Sequence, residues 1–479
     1  MELSARVASN TAIQVIGKIL STLLALAAVA LVTRYLGSYG FGQFITALTF
    51  VTFFSILADF GLTMVTSQMI SKPGADRSKL LGNLFTFRIV TAAVCLGLAP
   101  LLVWFFPYDQ AVKEGVLIAG VAFFFILLCQ PFVSLFQRDL KTDRIAYAET
   151  GSRLLLLAFT AGAIYLDWGL SGVLWAMAAA NIFSFIFHYF FARSYTSIKW
   201  RYDKEIWLDI VKRSWPLIIT ITLNLIYLRA DTLLLSLFRS PDEVGLYGAA
   251  YRVIDVLVTV PFILGGTVLP ILTARWASGD KQAYIRGWQK TFDASAIIAL
   301  PMVVGGIVLA GPIMMLLAGD EFVAAGPILK VLMPAAGAVF FSALFSYTMI
   351  SFDRQKSMIP AYALTAFVAL ALYLLLIPTY SYTAAAWITL LSEVIILILA
   401  WRLIRRYGDI KPNGKIFAKA LLASLAMGLF IIILPQIENV ILSLVLSIFS
   451  GAVVYLLLLY RLGGFKFKDL NFFTKRFSP

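Results

Sequence analysis

The stretch TRYLGSYGFGQF, residues 33–44, sets Gly37, Gly40 and Gly42 within six residues between two long apolar runs. A glycine-rich turn of this kind either cradles a phosphate or reverses the chain. A phosphate loop needs a strand before it and a Lys-Ser or Lys-Thr pair after it, and the sequence offers neither. The glycines therefore read as a tight helix-to-helix reversal, with Gly42 letting the second helix pack closely.

The flanking composition supports that reading. Hydrophobic residues make up 61% of the 479 and charged ones 13%, with mean hydropathy +0.89, against about 25% charged in soluble domains. Apolar runs near 20 residues cross a hydrocarbon core of about 30 Å as helices. The chain reads as an all-α polytopic membrane protein. Its first run contains Ala-x-Ala triplets, but it is too long for a cleaved signal, lacks a strongly basic start and leads straight into a second run. It reads as a retained helix. Cys95 and Cys129 lie in apolar runs and His188 stands alone, a pattern with no disulfide framework and no metal-ligand spacing.

Fourteen candidate spans follow from apolar runs bounded by charge, glycine and proline: 12–33, 43–64, 83–106, 114–134, 145–166, 169–192, 215–238, 246–270, 291–317, 327–350, 358–377, 383–404, 416–434 and 440–460. With the N-terminus inside, thirty of the 39 Lys and Arg fall on the inner side, four on the outer and five within spans. That asymmetry predicts both termini in the cytoplasm. It also accounts for most of the net charge of +14 as topology and headgroup contact, so no nucleic-acid partner is expected. The outer loops are too short for a catalytic domain. The longest inner connection contains YDKEIWLDIVKRSW (202–215), which reads either as an interfacial amphipathic helix or as a solvated linker with belt tryptophans.

An internal repeat is visible. Gly42, Phe44 and Ala47 match Gly245, Tyr247 and Ala250 at an offset of 203, each set following the outer turn between the first and second span of a six-span group. Six is even, so the two groups enter the membrane in the same direction, as in transporters built from parallel repeats with substrate between the halves. The alternative is that any two transmembrane hairpins look alike. On the duplication reading the organisation is a six-helix lobe over 1–192, a linker over 193–214, a second six-helix lobe over 215–404, and two extra helices with a basic tail over 405–479.

Charges at membrane depth cost at least about 2.5 to 3.5 kcal/mol, so they face a cavity or a partner. The five bases within spans form two tiers: Lys18, Arg88 and Arg153 near the inner ends, Arg229 and Arg252 nearer the outer ends. Acids at Asp59, Glu149, Asp231, Asp255 and Glu393 are the available partners. Glu149 and Arg153 stand at i, i+4 and Arg252 and Asp255 at i, i+3, so both bases have a local acid. Arg229 and Asp231 cannot share a helix face. Lys18 and Arg88 lack an acid within a turn, which marks them for an anionic ligand or for snorkelling to the interface. Of the prolines within spans, Pro261 with Gly265 and Gly266 predicts a bend in the eighth span.

Three stretches then resemble a known family. VTRYLGSYGFGQFITALTFVTFFSILADFG (32–61), RADTLLLSLFRSPDEVGLYGAAYRVID (229–255) and GDEFVAAGPILKVLMP (319–334) are similar to Wzx-type polysaccharide flippases of the multidrug/oligosaccharidyl-lipid/polysaccharide exporter superfamily, to which the MATE transporters and the peptidoglycan lipid flippase are related. The resemblance implies two six-helix halves around a cavity, plus two C-terminal helices. It implies a monomer in a bacterial or archaeal cytoplasmic membrane that moves polyprenyl-diphosphate-linked repeat units outward by alternating access, for O-antigen, lipopolysaccharide or another surface polysaccharide. Glycosyltransferases, a polysaccharide polymerase and membrane lipids are the implied partners. On this reading Lys18, Arg88 and Arg153 receive the diphosphate, Arg229 and Arg252 meet it nearer the outside, and Asp59, Asp231 and Asp255 gate or carry a coupling H+ or Na+, with no other cofactor. The rivals are a cation-coupled multidrug antiporter, which favours acids over bases, and a membrane polymerase or ligase, which needs a large outer catalytic loop. The residues carry no enzyme motif.

Overall fold

The computed structural model describes all residues except 1, 60, 71–75, 140, 196–199, 436 and 465–479, so the basic tail expected at the C-terminus lies outside the described residues. The described chain is helical, in the order α1 (Glu2–Asp59), α2 (Leu62–Ile70), α3 (Arg77–Leu102), α4 (Gln110–Arg138), α5 (Thr142–Tyr165), α6 (Gly169–Arg193), α7 (Lys204–Phe238), α8 (Pro241–Ala277), α9 (Lys281–Val308), α10 (Ala310–Ala318), α11 (Gly326–Ser351), α12 (Ile359–Gly408), α13 (Lys415–Ile433) and α14 (Val440–Arg461). Ten helices among the described residues are long and apolar enough to cross a membrane. α5, which carries Asp143, Arg144, Glu149 and Arg153, is not among them.

The opening stretch is a corner. α1 changes direction at Gly37, whose φ of 64° and ψ of −175° are open to glycine and strained for other residues. α12 has the same kind of corner at Ser381, with φ 54°, between the predicted spans at 358–377 and 383–404. Two predicted spans are broken. The run at 43–64 ends as α1 at Asp59, and α2 starts at Leu62 after Gly61 with φ 72°. The run at 291–317 parts between Val308 and Ala310 because Pro312 lacks the N–H that would donate to the Val308 carbonyl. α8, by contrast, continues as one helix through Pro261 and Pro270. Its Gly265 is where the Tyr347 ring lies against the helix backbone, with the Tyr347 hydroxyl 3.4 Å from the Phe262 carbonyl.

The chain divides into two compact units, Met1–Gly245 and Leu246–Lys475. In the first unit, α4 packs along α6, and α1 against α3, α4 and α5. Its core is aromatic: Phe85 lies 5.4 Å from Phe132 and stacks on Phe185 at 6.3 Å, ring centre to ring centre. Residues 204–214, part of the inner connection, are the first turns of α7. Asp203 caps that helix by accepting from the Glu205 and Ile206 amides, and its own amide donates to Asn83 Oδ1 at 2.7 Å. Trp207 fits between the Phe87 and Tyr202 rings, while Trp200 and Trp215 stay exposed.

In the second unit, α9, α11 and the latter part of α12 bury Trp288, whose Nε1 donates to Thr348 Oγ1 at 2.8 Å. α13 and α14 form a smaller core with α9 around Met427 and Leu459. Pro301 cannot donate to the Ile297 carbonyl, and Tyr455 of α14 donates to that oxygen instead, at 2.8 Å. A main-chain acceptor freed by proline is thereby satisfied across helices, as a low-dielectric solvent requires.

Candidate functional site

The Gly37 corner carries three hydroxyls, and each donates to a carboxylate on a different connection of the first unit. Tyr35 meets Asp167 at 2.7 Å, between α5 and α6; Tyr39 meets Asp109 at 2.7 Å, before α4; Ser38 meets Asp242 at 2.5 Å, in the first turn of α8. Behind them, Gly42 and Gly245 lie backbone to backbone. A Cβ on Gly42 would strike the Pro241 carbonyl, and one on Gly245 the Ser38 carbonyl. The offset of 203 that aligns Gly42 with Gly245 also aligns Ser38 with Pro241. Each corner therefore contacts the other through equivalent residues, the reciprocity of an isologous contact.

The inner tier of bases is not one cluster. Arg88 is fully buried, and its guanidinium donates to Asp59 Oδ1 at 2.7 Å, to the Asp59 carbonyl at 3.3 Å and to Thr63 Oγ1 at 3.0 Å. It thus caps the end of α1 and ties it to the start of α2, which satisfies a carbonyl that the break would leave bare. Its Nε finds no partner among the described residues. Arg88 reaches Asp59, and neither is brought to Lys18.

Lys18 behaves differently. The missing side chain of Gly17 lets α1 approach α5 at Ala146, and Lys18 comes to 3.7 Å from Glu149, with the two side chains 51% and 42% exposed. The i, i+4 partnership of Glu149 with Arg153 does not form: Glu149 pairs instead with α1, whose close approach at Gly17 brings the Lys18 ammonium alongside. Arg153 is exposed and has no hydrogen bond or ion pair among the described residues. The pairing between helices was missed because the acid-first spacing on α5 looked sufficient; the adjoining Gly17 and Lys18 were the signal.

In the outer tier, Arg229 is half-buried on α7, and Asp231 two positions on is buried, its Oδ1 accepting from the Thr232 amide at 2.6 Å and hydroxyl at 3.2 Å. In the second unit, Arg252 and Asp255 form the expected i, i+3 pair at 3.5 Å, and Glu393 is buried in α12. Outside the apolar segments, Lys79 pairs with Asp203 at 2.6 Å, and that ammonium holds the Asp203 carboxyl below its ordinary range, helped by the Ile206 and Glu205 amides. Among the described residues no group of three or more His, Cys, Asp or Glu is placed to hold a metal ion.

No functionally curated protein matches the chain in sequence. Among solved structures it is similar to a lipid II flippase MurJ in an inward closed conformation, with TM-score 0.76 and 17% identity over 93% of this chain and 97% of that one. It is also similar to an inward-facing multidrug resistance MATE family transporter of the MOP superfamily, with TM-score 0.68 and 15% identity over 81% of this chain and 94% of that one. A third is a MOP superfamily transporter from Pyrococcus furiosus, described as having a binding pocket of reverse polarity, with TM-score 0.60 and 13% identity over 85% and 96%. These likenesses show the fold. In sequence, the family model described as "Polysaccharide biosynthesis protein" matches residues 7–276, more than half of the chain, and the chain belongs to that family.

Proposed function

We propose that the chain is a flippase that carries polyprenyl-diphosphate-linked oligosaccharide repeat units across the cytoplasmic membrane for surface polysaccharide assembly, by alternating access. The observation that carries this reading is the exposed cationic face of α1 and α5. Lys18 is only loosely paired and Arg153 has no partner among the described residues, and the sequence predicts spans over both, although α5 itself is less apolar than the ten spanning helices. An exposed charge at that depth is costly against lipid and favourable against water or an anion. A diphosphate supplies oxygens for both, the guanidinium fork in particular.

Lys18 and Arg153 are the residues that would receive the diphosphate near the inner side, and Arg229 and Arg252 would meet it further out. Arg88, withdrawn onto Asp59, would hold the broken helix that frames this face. The membership in a polysaccharide biosynthesis family and the MurJ-like fold support the substrate class, and glycosyltransferases and a polymerase would act on either side of this step. Export of surface polysaccharide, measured in cells lacking their own flippase, tests the reading. The Lys18→Gln, Arg153→Gln double variant, at wild-type abundance in the membrane, is expected to lose export by at least about tenfold, since a hydrogen bond to a charged group contributes about 1.5–3 kcal/mol. Full export by that variant overturns the assignment.

A further inference from the structure

α12 ends on the side that the charge asymmetry predicts to be cytoplasmic, and its last turns read WRLIRRYG, 401–408. Ile404 packs into the core with Phe352, Met358 and Ile410, and a Cβ on Gly408 would strike the Phe352 ring. The connection from α11 is thereby pressed against the end of α12. Its own backbone fixes it further: the Arg354 amide donates to the Met349 carbonyl at 2.9 Å, and the Ser357 amide to the Arg354 carbonyl at 3.0 Å. Trp401, Arg402, Arg405, Arg406 and Tyr407 remain exposed.

Two guanidiniums meet on one of these rings. Arg406 lies 6.0 Å from the centre of the Tyr407 ring, and Arg354, delivered by the connection, lies 5.5 Å from the same centre. Ser357 donates its hydroxyl to the Tyr407 oxygen at 3.2 Å, which leaves the phenol's own hydrogen to donate elsewhere. Neither Arg354 nor Arg406 forms a hydrogen bond or an ion pair through its side chain among the described residues. Of the neighbouring acids, Asp353 accepts from Gln355 at 3.4 Å, and Asp409 pairs with neither arginine. A helix C-terminus attracts cations and so accounts for Arg405 and Arg406 one by one. It does not account for Arg354, a second positive charge brought from another element to the ring that Arg406 already flanks. Like charges around one ring repel, and both N–H forks stand unused.

We propose that Arg354, Arg406 and Tyr407, with Ser357 behind the phenol, form a binding site for the phosphate group of an anionic lipid of the inner leaflet. A tetrahedral phosphate has oxygens for two guanidinium forks and a phenol, and a planar fork takes two of them at once. Its negative charge relieves the repulsion between the two arginines, while the Tyr407 ring keeps both cations in place by cation–π attraction. Trp401, which Arg405 covers at 5.8 Å, and Tyr407 are the residue types that settle at headgroup level. That is the depth at which lipid phosphates lie, and basic pockets on the cytoplasmic side hold anionic headgroups there. The site shares no residue with the bases of α1 and α5 assigned to the diphosphate, and it does not depend on that assignment.

Titration of the purified full chain with a fluorescent phosphatidylglycerol in mixed micelles, at about 0.15 M salt to screen diffuse surface charge, tests the site. The Arg354→Gln, Arg406→Gln double variant is expected to bind this lipid at least about tenfold more weakly, and Tyr407→Phe, which keeps the ring, about threefold more weakly. Lys281→Gln with Arg286→Gln removes two exposed charges from the start of α9 and is expected to leave the affinity within about twofold, as screened charges do. Arg354 and Arg406 are exposed, so their removal leaves the fold intact. Unchanged affinity in the Arg354, Arg406 variant overturns the proposal. Equal weakening in the α9 variant also overturns it, since the lipid would then answer to general basic charge and not to this site. Inorganic phosphate in excess over the lipid is expected not to displace it. Displacement from the wild type would assign the site to free phosphate and overturn the lipid as its occupant.

Discussion

Two of the cation–carboxylate pairs in the first unit have nearly the same chemistry and opposite circumstances. Arg88 and Asp59 are joined at 2.7 Å with the guanidinium wholly out of solvent, and Lys18 and Glu149 are joined at 3.7 Å with both side chains about half exposed. The buried pair is surrounded by a carbonyl and a hydroxyl that leave it little freedom. The exposed pair has no further partner among the described residues. Desolvation makes the first pair dependent on every contact it keeps, while solvent screening makes the second cheap to open. One holds a helix together; the other opens at little cost.

Removing Arg88 is the largest perturbation this contrast predicts. Arg88→Ala leaves the Asp59 carboxylate and carbonyl and the Thr63 hydroxyl without their donor, and breaking a buried pair costs about 3–5 kcal/mol. Thermal unfolding of the purified chain, followed by size-exclusion chromatography, is expected to show a large loss of stability. Arg88→Lys should rescue little of it, because a single ammonium cannot reach all three oxygens as a planar fork does. Removing both charges with apolar residues of similar size, Arg88→Met with Asp59→Leu, should recover most of what the single variant loses. If the single Arg88→Ala variant is as stable as the wild type, the buried pair is no more structural than the exposed one and the comparison fails.

A backbone contact sharpens the same contrast. Gly42 and Gly245 leave no room for a side chain, since a methyl on either meets a carbonyl of the other corner. Gly42→Ala is expected to cost about 1–3 kcal/mol through overpacking, measured by the same unfolding assay. Lys18→Gln should cost under about 1 kcal/mol of stability, as exposed pairs do, while export falls. A Lys18 variant that loses stability before it loses export would place that pair with Arg88.

The corner at Gly37 was legible because three glycines between apolar runs leave few other conformations, and the same logic located most helices. The break after Asp59 was not legible. The run at 43–64 is uncharged apart from that one acid, and the helix end is held by a guanidinium 29 residues further along the chain. Local spacing likewise paired Glu149 with Arg153, whereas the close approach of α1 at Gly17 decides the partner. Hydropathy reads how far a residue sits from water, and spacing reads its own helix. Neither registers which side chain a neighbouring helix delivers.

The pair at the entry to α7 supplies the last test. Lys79 and Asp203 meet at 2.6 Å where the inner connection enters α7, in a solvent-accessible setting. The ammonium and the capping amides depress the Asp203 carboxyl, so in the folded chain it loses its charge at a lower pH than in the unfolded chain. The sign follows from proton binding: between those two values the unfolded state holds more protons, and stability rises with pH. The contribution is fully present above the ordinary carboxylate value of about 3.9 and disappears as pH falls through the depressed one. Asp203→Asn keeps an oxygen for the Glu205 and Ile206 amides and removes only the charge. Unfolding temperatures of wild type and Asp203→Asn should therefore differ slightly at neutral pH and converge on acidification. The gap should also shrink in high salt, which screens this exposed pair and leaves the buried Arg88–Asp59 pair largely untouched. A gap that persists at low pH and in high salt would mean that Asp203 acts through the cap alone and that its ion pair contributes nothing.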